Sequence, residues 1–66
     1  MPYRVLVKLL KAKGCVRTRT EGSHERWETA DGRCRTSLVH RREIAPGTLR
    51  NIREDLAPCL GKDWLQ

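Results

Sequence analysis

Two turn signals cut residues 15–39 into three short segments, and this division constrains the fold more than any other feature of the chain. The first signal is Glu21-Gly22-Ser23, and the second is Ala30-Asp31-Gly32. Asp-Gly between short segments of strand character is a strong hairpin signal, because glycine accepts the positive φ that tight hairpin turns require. Thr, Val and Trp in the segments favour strand, and the many arginines do not. The spacing predicts an antiparallel three-stranded meander over residues 15–20, 24–29 and 33–39.

Side chains at i and i+2 share one face of a strand. The alternation therefore assigns Arg17 and Arg19 to one side of the first strand, with Val16 and Thr18 on the other. In the second strand His24 and Arg26 share a side, opposite Trp27. In the third, Arg33 and Arg35 stand opposite Cys34, Thr36 and Leu38. Simple pairing of these strands predicts a sheet with an arginine-rich face and a mildly apolar face.

The flanking segments read as the helices that cover the apolar face. Over residues 3–13, Val5, Leu6, Leu9 and Leu10 form one stripe, with Arg4, Lys8 and Lys11 on the wet side. Pro2 suits the start of this helix and Gly14 its C-terminal cap. Residues 40–47 read as a loop that carries His40, Arg41 and Arg42 and ends in a Pro46-Gly47 turn. A second helix is expected over 48–57, capped by Thr48, with Leu49, Ile52 and Leu56 as its apolar stripe and Pro58 as its stop. The tail, 58–66, has room for one more turn around Trp64 and Leu65. The predicted architecture is a single α+β domain over residues 1–66. Its order is α-β-β-β-α, with both helices packed on one sheet face through Val16, Trp27, Cys34 and Leu38.

At 66 residues the chain buries only about 60% of the surface it exposes when unfolded, so any chemistry belongs on a surface or in a shallow cleft. Its 14 Lys and Arg against 8 Asp and Glu give a formal charge of +6. Such a balance calls for an acidic partner: a nucleic acid, an anionic membrane or an acidic protein. No apolar run approaches the ~20 residues of a spanning helix. The N-terminus lacks the apolar core and small-residue cleavage site of a signal peptide, so the expected location is cytoplasmic, without membrane partners. Cys15, Cys34 and Cys59 have no zinc-like spacing. In that compartment three reduced thiols are expected, with a disulfide or metal staple as the alternative.

Arg17, Arg19, Arg26, Arg33 and Arg35 share the expected open face with few acids. Like charges at cross-strand positions destabilise a sheet, which points to a polyanion as the compensating partner. Arginine matches phosphate oxygens with a bidentate fork. His24, directly after Gly22-Ser23, brings an imidazole that exchanges protons near neutral pH. RNA carries its own nucleophile in the 2′-hydroxyl. Its cleavage needs a base for that proton, cations for the extra phosphorane charge and a donor for the leaving oxygen. His24 and the arginines supply the first two, and His40 is the only other histidine for a secondary role. Gly22 and Ser23 can turn backbone N–H groups toward a phosphate. Ser23 has no triad partners that would make it a covalent nucleophile. Glu21, Glu25, Glu28 and Asp31 form no metal-binding pattern, and no metal or cofactor is expected. Trp27 and Trp64 read as core and tail anchors.

The residues in order are Lys13-Gly14, Gly22-Ser23-His24, Asp31-Gly32-Arg33, His40 and Pro46-Gly47-Thr48-Leu49-Arg50-Asn51-Ile52. This series, over residues 3–57, resembles the HicA, or YcfA-like, toxins of bacterial and archaeal toxin–antitoxin pairs. The resemblance implies a double-stranded-RNA-binding-domain-like fold and an endoribonuclease that cleaves mRNA, halting translation. It also implies a catalytic histidine at the Gly-Ser-His motif, here His24, and a HicB-type antitoxin as partner. Glu25 stands where many members carry a second histidine, and Cys15 and Arg17 fill first-strand positions that are apolar in the family. The competing reading is a non-catalytic RNA-binding module that uses the basic sheet face, since double-stranded RNA is read largely through shape and backbone.

Overall fold

The computed structural model describes residues 1–65. The elements follow the expected order: α1 (Tyr3–Ala12), β1 (Val16–Glu21), β2 (His24–Glu28), β3 (Arg35–Val39) and α2 (Pro46–Leu60). The strands form one antiparallel sheet in the order β1-β2-β3. The helices cover one face of it, which makes a two-layer α+β fold of the double-stranded-RNA-binding-domain type.

The core sits between the layers. Leu6 and Leu10 of α1, one turn apart, are fully buried against Trp27, Leu38, Ile52 and Leu56. Trp27 thus lies on the helix side, as the alternation requires. Val5 is 39% exposed, so the stripe of α1 centres on Leu6 and Leu10 rather than on Val5. Ile44, in the segment expected to be only a loop, is 2% exposed and joins the core. The segment around it pairs with the N-terminus. Pro2 forms a bridge with Glu43, the Tyr3 N–H donates to the Arg42 carbonyl (3.2 Å) and the Ile44 N–H donates to the Met1 carbonyl (2.7 Å). This pairing brings the first turn of α1 beside the chain leaving β3.

α2 is longer at both ends than the expected 48–57. It starts at Pro46, whose fixed φ suits a first helical position, and Ala45 rather than Thr48 is its N-cap. Pro58 does not stop it. A proline there removes one helical hydrogen bond, but tertiary anchors hold the last turn. Cys59 is joined to Cys34, Trp64 is buried, and the Trp64 indole N–H donates to the Arg53 carbonyl (2.9 Å). The Thr36 hydroxyl donates to Asp55 (2.8 Å) and pins the middle of α2 to β3. The turn expected around Trp64 and Leu65 is present, and Gln66, the last residue of that tail, lies outside the described residues.

The Cys34–Cys59 disulfide corrects the expectation of three reduced thiols. Cys15 alone is free, and burial pushes its thiol up from the ordinary value. The bond closes a loop with a sequence separation of 25. By chain entropy such a crosslink contributes about 3 kcal/mol. For a domain this small, reduction is expected to lower the thermal midpoint by roughly 12–24 °C. Thiol labelling after unfolding should find Cys15 alone without reductant and all three cysteines with it. Three reactive thiols in unreduced protein would reject the crosslink.

Candidate functional site

The open face of the sheet is built by register. His24 pairs with Glu21 on β1 and Val39 on β3, and Arg26 pairs with Arg19 and Ser37. Cross-strand partners share a face, so His24, Arg19, Arg26 and Ser37 stand together on the side away from the helices. They line a shallow groove of about 280 Å³, with Glu21 and Glu25 also at its wall. His24 and Arg26 are both exposed. Gly22 has φ +59°, the left-handed conformation that a tight β1–β2 turn needs. This turn places Ser23 and His24 at the end of the sheet.

One of the five arginines expected on this face is on the other side, and another precedes the strand. The register between β1 and β2 shifts between Arg17 and Arg19, and that bulge puts the two on opposite faces. Arg17 pairs with Trp27 and stands on the helix side, 3.5 Å from Glu25. The same shift places Val16 opposite Glu28, where it is 52% exposed and outside the core. Arg33 precedes β3 and belongs to the Asp31 turn. Its backbone N–H donates to Asp31 (3.0 Å), and with the Thr29 hydroxyl it holds that carboxyl below the ordinary range. Arg19, Arg26 and Arg35 remain on the open face, accompanied by Glu21 and Glu28. Arg19 forms an ion pair with Glu21, and Glu28 accepts from the Thr18 hydroxyl at 2.7 Å. The face is therefore mixed in charge: Arg19 and Arg26 line the groove with His24, and Arg35, the register partner of Glu28, stands at the other end of the sheet.

Beneath the sheet lies an arrangement that charge reasoning from sequence missed. Glu25 is 4% exposed and points to the helix side, away from His24. Its carboxylate therefore lies across the sheet from the His24 imidazole. Its carboxylate accepts from the Tyr3 hydroxyl (2.6 Å) and the Trp27 indole N–H (2.9 Å). Arg17 lies at 3.5 Å and the Nδ1 of His40 at 4.0 Å. Burial pushes the Glu25 carboxyl upward, but the two hydrogen bonds with the charges of Arg17 and His40 outweigh it and hold the pKa below the ordinary value. Tyr3 moves the other way: burial and the neighbouring carboxylate raise its phenol. The His40 ring stacks on Tyr3 with centroids 4.1 Å apart and planes 19° from parallel. The signal for Glu25 was present in the sequence, since i and i+2 put it on the same side as Trp27.

The chain is thus a small two-layer α-β-β-β-α domain with one open sheet face, an exposed histidine at its end and arginines beside it. The family model described as the HicA toxin of bacterial toxin–antitoxin systems matches residues 3–57, and the chain belongs to that family. Comparison with curated proteins and with solved structures returns no significant match. Among the described residues, no helix is long and apolar enough to cross a membrane.

Proposed function

We propose that this chain is a toxin acting as an endoribonuclease on mRNA in the cytoplasm, with His24 as the proton-transfer group. The observation that carries the reading is the exposed imidazole of His24 in a groove between Arg19 and Arg26. His24 takes the 2′-hydroxyl proton, O2′ bonds to phosphorus and the bond to the 5′ oxygen breaks. The products are a 2′,3′-cyclic phosphate and a 5′-hydroxyl. The proton held by His24 is then available to return to the leaving oxygen. Arg19 and Arg26 stabilise the charge that gathers on the phosphorane, Arg35 at the other end of the face holds a flanking phosphate, and the Gly22-Ser23 backbone supports the phosphate at the strand end. Arg17, on the helix side, and Arg33, in the turn before β3, make contacts only to flanking parts of the strand. Because RNA supplies the nucleophile, the reaction needs no metal. A HicB-type antitoxin neutralises the toxin by laying an acidic surface over the groove.

The test is incubation of the purified chain with single-stranded RNA in the presence of a chelator. Scission that leaves cyclic-phosphate ends, undiminished by chelation and blocked by the co-expressed antitoxin, is the expected result. Salt-dependent binding without scission would replace the nuclease reading with that of a non-catalytic RNA-binding module.

A further inference from the structure

The Tyr3–His40 stack lies outside the groove that holds His24, and the cleavage chemistry makes no use of it. We propose that it is a nucleobase-binding site, taking one unpaired base of the single-stranded RNA next to the phosphate held at His24. This rests on the RNA reading above and adds to it a subsite on the other side of the sheet end.

Three observations carry the assignment. First, the stack is open. The His40 side chain is 63% exposed, with one ring face against Tyr3 and the remainder toward solvent. Bases of single-stranded RNA are bound by stacking on such aromatic faces. Second, the platform is rigid from below. The Tyr3 hydroxyl is held by Glu25 at 2.6 Å, and Glu25 is held by Trp27, which is 1% exposed. At 4.0 Å from Glu25, His40 is beyond hydrogen-bond distance. Stacking on Tyr3, not a hydrogen bond to the carboxylate, accounts for the placement of the ring. Third, the platform sits beside the groove. The His40 backbone N–H donates to the Ser23 carbonyl (2.7 Å), and its chain neighbour Val39 is the register partner of His24. A strand crossing the sheet end from His24 meets His40 next. Arg17, half exposed on the same side, offers a cation to the connecting phosphate.

The experiment measures binding of a short single-stranded 2′-O-methyl oligoribonucleotide, which has no free 2′-hydroxyl and survives cleavage. Base–aromatic stacking predicts that His40→Ala weakens binding by about tenfold. His40→Phe, which keeps the ring and removes the titratable nitrogens, should restore it. An abasic position in the oligonucleotide should abolish the difference between wild type and His40→Ala. Thermal unfolding of both variants confirms that Tyr3 and the core are intact. Unchanged binding by folded His40→Ala, or failure of His40→Phe to restore it, overturns the stacking site and leaves the RNA reading standing. Absence of any binding by the wild-type chain overturns both.

Discussion

Replacing His24 with alanine is expected to lower RNA cleavage by a factor of about 10²–10⁴, the usual contribution of a positioned acid–base group. The fold should survive. The side chain is exposed on the open face, and its strand is held by backbone pairing to both neighbours. Circular dichroism and thermal unfolding should therefore match wild type within a small margin. Binding to the uncleavable oligonucleotide should change little, because the arginines and the His40 platform remain. That combination of lost scission with kept binding separates a proton-transfer role from a phosphate contact. His24→Gln, which keeps hydrogen bonding and loses titration, should be as inactive as His24→Ala. A folded variant that cuts at the wild-type rate would remove His24 from the mechanism.

The architecture was legible because its signals are local. Gly22 and Asp31-Gly32 mark the turns, Leu6 and Leu10 define the buried stripe of α1, and Trp27 marks the inner face of β2. Glu25 was missed although local spacing puts it beside Trp27, and the other failures come from events that such spacing does not encode. A bulge between Arg17 and Arg19 flips the face of every β1 residue on one side of it, so strict alternation misplaced Arg17 and Val16. Pro58 reads as a helix stop until Cys59 is found crosslinked to Cys34, a contact between residues far apart in the chain. A compartment argument favours reduced thiols, but the fold sets the two Cα atoms 6.2 Å apart, within reach of a disulfide. At the site, the exposure of His24 followed from its position after a turn. The stack of His40 on Tyr3 did not, because it depends on the N-terminus pairing with residues 42–44.

Removing the Glu25 carboxylate should produce the largest stability change of any single polar substitution in this chain. Glu25→Ala leaves the indole N–H of Trp27 buried without an acceptor, at a cost of about 1–3 kcal/mol. Tyr3 loses its anchor as well, while Arg17 adds little because it is half exposed. Against a total stability of roughly 3–10 kcal/mol for a domain of this size, a thermal midpoint lower by about 4–24 °C is expected. Glu25→Gln isolates the charge. The folded carboxyl has a pKa below that of the unfolded chain, about 4.3. The unfolded state therefore binds the proton first as pH drops. The ionised form thus stabilises the fold above that value, and the contribution disappears as pH falls through the lower, folded pKa. Unfolding free energies measured by denaturant from neutral pH down into this acid window should fall more steeply for wild type than for Glu25→Gln. The depressed carboxyl of Asp31 contributes equally to both proteins and cancels in the difference. Parallel slopes would mean that folding leaves the Glu25 pKa where it is in the unfolded chain, and its partners would then give the charged carboxylate no net advantage over the neutral acid.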